Sequence, residues 1–480
     1  MYLSVLIFTS YFICVSGRIL ESIQIYGISR LDFSREGEDM LKNVWKSVVV
    51  SGLGIMLAGL SVQAQTPYYL PEAVGYAAGV TGGGAPTASN TVTVKTASEL
   101  AAALNGNASV ILVSGSITTE RIQFTGKNKS IIGLPGAKLI NLNQTASGSG
   151  ILSIKENSGS TNIIIRNITF VGPGAYDEDG WDLFANKGCS KLWVDHCEFQ
   201  DGMDGNFDNT NTADNITVSW CKFTYLKAPK AGGSGGSNDH RFSNLVGGSD
   251  DAPTTDGLYN ITWLNCWWTN GCVDRMARAR NAKLDFLNCY WNSNVASKYI
   301  HLSPGNNGTF VYVANGVFAG PGEVVNQEKT GNNNVTFSNC TNAVKDLGTK
   351  VAAPTYSWSP TPVANVVSMV TNATCGAGAT LQVTLAGIVS TSCGTSDVLA
   401  PVATGNSSAP VIIDNNLNVN FPVSSSDNAS ATIFTMSGQK VYTAFKANNA
   451  VANVRNINPG VYLVKMMDNN RVTVGKFVKK

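Results

Sequence analysis

Val194-Asp195-His196-Cys197-Glu198-Phe199, Val218-Ser219-Trp220-Cys221-Lys222-Phe223, Trp263-Leu264-Asn265-Cys266-Trp267-Trp268 and Phe286-Leu287-Asn288-Cys289-Tyr290-Trp291 are four versions of one phrase. Their cysteines step by 24 residues (197 to 221), 45 (221 to 266) and 23 (266 to 289), and 45 is close to two periods of 22 to 23. Fainter copies extend the series, with Asn167-Ile168-Thr169-Phe170 ahead and Asn315-Gly316-Val317-Phe318 and Asn339-Cys340 behind. A period between about 20 and 50 residues marks an array whose units bury their apolar faces only by stacking on neighbours. Each unit here carries apolar runs broken by Gly, Asn and Asp turns, which reads as strands rather than helices. The expected fold is all-β, a right-handed parallel β-helix.

Equivalent positions of successive coils then stack at roughly 4.8 Å. The cysteines become an interior ladder of small buried hydrophobes. Asn265, Asn288, Asn315 and Asn339 become a second ladder at a turn, with their amides linked along the axis. No Cys-x-x-Cys pair points to zinc or redox chemistry. Cys375 and Cys393 lie off the ladder and are close enough in sequence for a disulfide if the protein is exported.

Charged residues make up only 14% of the chain and the net charge is +2, so no overall bias draws it to nucleic acid or to a membrane, and any partner must be read locally. The apolar runs 2–15 and 48–60 are each shorter than a spanning helix requires. The second resembles a secretory signal, with Met40 as start, Lys42 and Lys46 as its basic region and Val62-Gln63-Ala64 as a small-x-small cleavage site. Residues 1–64 are therefore expected to be an over-extended start plus signal peptide, with the mature chain opening near Gln65; the competing reading is a membrane anchor over 2–15. Residues 65–398 are the expected helix domain, 399–410 a Pro/Ser/Gly/Asn linker, and 411–480 a small domain resembling a β-sandwich. Its phrases Ile433-Phe434-Thr435-Met436-Ser437-Gly438-Gln439 and Asn458-Pro459-Gly460-Val461-Tyr462-Leu463-Val464, with the basic ending Lys476 to Lys480, resemble the C-terminal sorting domain of type IX secretion cargo. The plain alternative is a carbohydrate-binding or packing module.

The period also places the chemistry. Asp182 and Asp204 are 22 apart, one coil, and should be vertical neighbours; Asp208 lies four residues on and Asp201 is close by. Carboxylates crowded on one face repel unless a hard cation lies among them, and an all-oxygen set suits Ca²⁺. The bland reading makes them ordinary turn formers. Asp274-Arg275-Met276-Ala277-Arg278-Ala279-Arg280 adds a basic cluster a coil or two above. In a strand, Arg278 and Arg280 would share one face and Arg275 the other, unless a bend brings Arg275 round. Guanidinium groups grip carboxylates bidentately, so with Lys227 and Lys230 between, these residues outline a groove for an acidic polymer. A solvated basic edge is the alternative.

Five ordered stretches, Trp193 to Phe199, Asp204 to Asp208, Ile216 to Phe223, Leu245 to Asp250 and Arg275 to Arg280, resemble those of pectate lyases of polysaccharide lyase family one, and residues 73–350 follow the pattern. One departure is Ala277, where the family has proline; another is the Gly/Ser-rich insertion 231–239, which leaves Lys227 or Lys230 as the family's lysine, Lys227 preferred. The resemblance implies Asp182, Asp204 and Asp208 as Ca²⁺ ligands, Arg275 as catalytic base, Lys227, Arg278 and Arg280 as substrate binders, and His196 as a buried structural residue. It implies β-elimination on polygalacturonate by a secreted or cell-surface monomer, and an alkaline optimum, because a guanidine is neutral only at high pH. A polygalacturonase of related fold, with Asp204 and Asp208 as paired carboxylates, and a non-enzymatic polyuronate-binding surface protein remain alternatives.

Overall fold

The computed structural model describes residues 68–177 and 179–393 continuously, and parts of the two ends: strands at 14–15 and 18–19, and residues 412–413, 419–420, 429–435, 440–445, 460–468 and 471–479. The chain divides into two compact units, Met1–Ala64 and Gln65–Lys480. In the first, Cys14–Val15 and Arg18–Ile19 pair antiparallel. The expected signal segment and the linker 399–410 lie outside the described residues.

Three parallel sheets of ten, eight and eight strands build the solenoid, each complete coil giving one strand to each sheet and the two end turns each adding a strand to the ten-stranded one. The row Leu192, Ile216, Ile261, Leu284, Val311, Val335 runs in register up the ten-stranded sheet, and every member is buried. The aromatic residues that close the repeated phrase form a stack: Phe170 on Phe199 at 4.8 Å, Phe199 on Phe223 at 5.3 Å, Phe223 on Trp268 at 5.4 Å, Trp268 on Trp291 at 5.1 Å and Trp291 on Phe318 at 4.5 Å. Near-parallel rings at these spacings contribute beyond their buried area.

Corners are set by the residue before each ladder position, which is cysteine in most coils, Ile168 in one and Gly316 in another. Asn167, His196, Trp220, Asn265, Asn288, Asn315 and Asn339 all have φ between 47° and 60°, the left-handed region that asparagine tolerates best after glycine. The asparagine amides link as expected: Asn288 donates to Asn265 at 2.9 Å, Asn315 to Asn288 at 3.1 Å and Asn339 to Asn315 at 2.8 Å. Each ladder thiol reaches back to a carbonyl of the coil beneath, Cys266 to Val218 at 3.3 Å and Cys289 to Trp263 at 3.5 Å. His196 is structural, held between Asp195 at 2.9 Å and the Tyr68 carbonyl at 3.0 Å. Cys375 and Cys393 are disulfide-bonded.

The 45-residue step proves to be one coil, not two. Ser219 pairs directly with Leu264, and the surplus length leaves the barrel as excursions around a single short strand, Leu245–Val246. The helix Ala97–Asn105, started by a Thr96–Glu99 capping box, covers the first coils with Leu100 and Leu104. The C-terminal region forms a four-stranded antiparallel sheet in the order 440–445, 430–435, 460–468, 471–479, with Ala431 and Ile433 buried. Among the described residues no helix is long and apolar enough to cross a membrane.

Candidate active site

One of the eight-stranded sheets gathers the candidate site residues on its outer face. Its outward row reads Gln123, Ser153, Ala185, Asp208 in one run and Leu245, Arg278, His301, Asn326 in the next. The residues between them, Phe184, Phe207, Val246, Ala279 and Leu302, point into the core. Period-two alternation thus puts the acids and arginines on one surface while the stack beneath holds it still.

Phe184 pairs with Phe207, a step of 23 rather than 22. Asp182 therefore sits over Gly205, not Asp204, and the expected vertical pairing is corrected by one residue. A Cβ on Gly205 would come within 2.5 Å of Asp182 Oδ1; glycine is what lets Asp204 and Asp208 flank that carboxylate. Asp208 Oδ1 accepts from the Leu245 amide at 2.8 Å, and Asp204 Oδ1 lies 2.8 Å from His240 Nε2. Asp182 Oδ1 is buried with no partner. Burial first, then the charges of Asp208 and Asp204, push Asp182 well above the usual carboxylate range; burial pushes Asp208 up to about 7 while Arg275 pulls it down. The cluster is short of positive charge.

Asp201 does not belong to it. Its Oδ1 accepts from the Leu226 and Lys227 amides at 2.7 and 2.9 Å, pinning the turn that carries Lys227. The Lys227 ammonium donates to the Gly172 carbonyl at 2.6 Å, and Lys230 Nζ lies 4.7 Å from the Tyr176 ring.

Arg275 has φ of 60° and its amide donates to Asp274 Oδ1 at 2.5 Å. That bend brings it round toward Asp182 and Asp208, both of which feel its charge, and sets its guanidinium 4.4 Å from the Phe242 ring. The following Met276–Ala277 peptide bond is cis. Arg278 is held by Glu328, with bonds of 2.6 Å from Nη2 to Oε1 and 3.0 Å from Nε to Oε2. Burial opposes ionisation of Glu328, yet the hydrogen bonds from Arg278 and Ser303 hold it at about 2. Arg280 keeps a buried, unpartnered Nε and stands 3.6 Å from Asp250; burial, then the charge of Arg278, lowers its pKa.

All-oxygen donors and an orphaned buried carboxylate oxygen fit a hard divalent cation, although among the described residues no three acidic, imidazole or thiol groups form a ready-made cage. Ca²⁺ takes six to eight oxygens, so three carboxylates would leave places for water and for a ligand's own oxygens. Sequence reasoning missed His240 and Glu328, and also Trp181 and Lys187, the last two of which line a depression of about 330 Å³ with the three acids. No local pattern marks His240 or Glu328; their roles exist only through contacts 36 and 50 residues away.

Residues 49–387 match a family model described as pectate lyase, and 413–480 match one described as a secretion system C-terminal sorting domain. The chain is 32% identical over 194 residues to a pectate trisaccharide-lyase of Thermotoga sp. (strain RQ2), covering 38% of this chain and 46% of that one. It is 32% identical over 234 residues to pectate lyase B of Colletotrichum gloeosporioides, covering 47% and 60%. The chain thus spans roughly half the length of these curated relatives. A solved thermostable pectate lyase aligns over 65% of this chain and 99% of its own, with 18% identity and a TM-score of 0.48.

Proposed function

The chain belongs to the pectate lyase family, whose model covers residues 49–387 of its 480, and on that footing we propose that it is a secreted lyase that cleaves α-1,4-linked polygalacturonate by β-elimination, leaving 4,5-unsaturated oligogalacturonates. The observation that supports this reading is the left-handed turn at Arg275, whose charge acts on a buried, under-compensated carboxylate cluster on the face of the sheet.

Arg275 takes the proton from C5, α to the uronate carboxylate. The electrons form the C4–C5 double bond and the C4–O bond breaks; the leaving sugar departs with its oxygen, which takes a proton from water, and Arg275 gives up its proton to solvent. Asp182, Asp204 and Asp208 would hold Ca²⁺. When bound, Ca²⁺ withdraws charge from the substrate carboxylate and so stabilises its enolate-like form. Arg280, with its free buried Nε, grips a carboxylate; Lys227 does so on exchanging its Gly172 contact. Arg278 reaches substrate only by leaving Glu328. The signal segment within 1–64, the linker 399–410 and the sorting domain 411–480 serve export to the cell surface or medium.

Product chemistry tests the reading. Polygalacturonate treated with the protein should gain reducing ends and the ultraviolet absorbance of a C4–C5 double bond together. Reducing ends without that absorbance would mean hydrolysis; neither would mean a binding protein.

A further inference from the structure

Most cations along the groove face are already paired: Arg278 with Glu328, Lys298 with Asp274, Lys329 with Asp250. Arg121 and Lys187 are different. Among the described residues neither forms an ion pair with a carboxylate, although the charge of Lys187 reaches Asp182, and Arg121 Nε is buried without any hydrogen bond. Both instead rest on one indole, Arg121 Cζ at 3.5 Å and Lys187 Nζ at 4.2 Å from the Trp181 ring.

The arrangement is built. The Trp181 amide donates to Ser149 Oγ at 2.8 Å. Gly150, at φ of 81°, makes room for the stack, since a Cβ there would lie 2.7 Å from Trp181 Cβ and 3.2 Å from Arg121 Cδ. Trp181 directly precedes Asp182, and Trp181 and Lys187 line the same depression as the acidic cluster. Arg121 precedes the strand Ile122–Phe124, two coils toward the N-terminal end from Phe184–Asn186. At the interstrand spacing its backbone is on the order of 10 Å beyond the acids, on the side away from Arg278 and Arg280, and its side chain reaches back to Trp181. An indole that holds two cations by their attraction to its face fixes them without neutralising them.

We propose that Arg121 and Lys187, clamped on Trp181, form a further subsite that binds the carboxylates of a polyuronate chain extending past the acidic cluster toward the first coils. It rests on the reading of this groove as a polyuronate site. The subsite lengthens the stretch of anionic polymer the groove can hold and makes the protein discriminate by chain length.

Arg121→Gln and Lys187→Gln are each compared with wild type on a trimer and a heptamer of galacturonate, so that either variant folding decides the matter. The expected result is a loss of about tenfold in kcat/KM for the heptamer, the size of one lost charge-assisted hydrogen bond, with less than a twofold change for the trimer and no loss of Ca²⁺ affinity by calorimetry. Equal losses on both lengths, or weakened Ca²⁺ binding, would assign the cations to supporting Asp182 and overturn the subsite; no loss on the heptamer overturns it too. Heptamer binding by calorimetry in EDTA separates this failure from failure of the activity itself. Weaker binding by the variants supports the subsite even if no product forms, and binding that is unchanged or absent overturns it.

Discussion

Arg275 occupies a position where strand alternation alone would turn it from the acidic face, and its left-handed φ of 60° reverses that. The distinction between base and binder follows from what each guanidinium must do. A base depends on reach before anything else, whereas a clamp depends on charge and only partly on the planar fork. Arg275→Lys should lower kcat at least a hundredfold, and Arg280→Lys should raise KM while leaving a measurable kcat; near-normal turnover in Arg275→Lys would put the base elsewhere. A second residue test lies in the corner network of Asp195, which accepts from Arg166 Nε at 2.7 Å and contacts His196. Burial alone would raise its pKa, but His196 and Arg166 outweigh it and hold the group at about 2, below the ~3.9 of an unfolded aspartate. Its contribution to stability is therefore complete above about pH 4 and is lost as pH falls through 2. Asp195→Asn should cost about 3–5 kcal/mol at neutral pH by stranding the buried Arg166 charge and should flatten that acid dependence. Denaturant titrations between pH 2 and 7 measure both. The arginine cluster was legible as residues; the pairing of Arg278 with Glu328 was not, because they lie 50 residues apart and only the coil register brings them together.

At the scale of the element, the phrase around each cysteine carried most of the fold. Its three parts settle into three structural jobs: an asparagine-type corner, a buried thiol and an aromatic ring in a continuous stack. Asn315 both donates to Asn288 and accepts from Asn339 while holding φ at 52°. Asn315→Ala loses those bonds and places a Cβ in the left-handed region, for a cost of about 2–3 kcal/mol. Asn315→Gly loses the bonds but keeps the backbone at ease, so it should melt above the alanine variant, the reverse of their order in regular structure. If alanine proves the more stable, the corner does not govern this column. What periodicity could not give was the length of an individual coil. Counting residues cannot distinguish two ordinary coils from one with excursions, so the step from Cys221 to Cys266 was misread, and the same arithmetic put Asp182 over Asp204 instead of Gly205. Register answers to paired backbone bonds and buried rings, which are visible only once the strands are laid side by side.

For the whole molecule, the solenoid and the C-terminal sheet have separate strand pairings, the latter closed within 430–479. Deleting residues 409–480 should leave the activity of the purified protein intact and abolish export from the native host; loss of folding in the truncated protein would make the region part of the catalytic domain. The solenoid buries its core through coil stacking, so stripping metal should lower thermal stability only by the linkage contribution of the bound ions while removing catalysis. The most direct measurement of the central claim is the initial rate of unsaturated product from polygalacturonate at alkaline pH in excess EDTA, and again after Ca²⁺ is restored. Loss of the rate under EDTA and its recovery with Ca²⁺ is the expected result; an undiminished rate in EDTA would contradict the assignment of Asp182, Asp204 and Asp208.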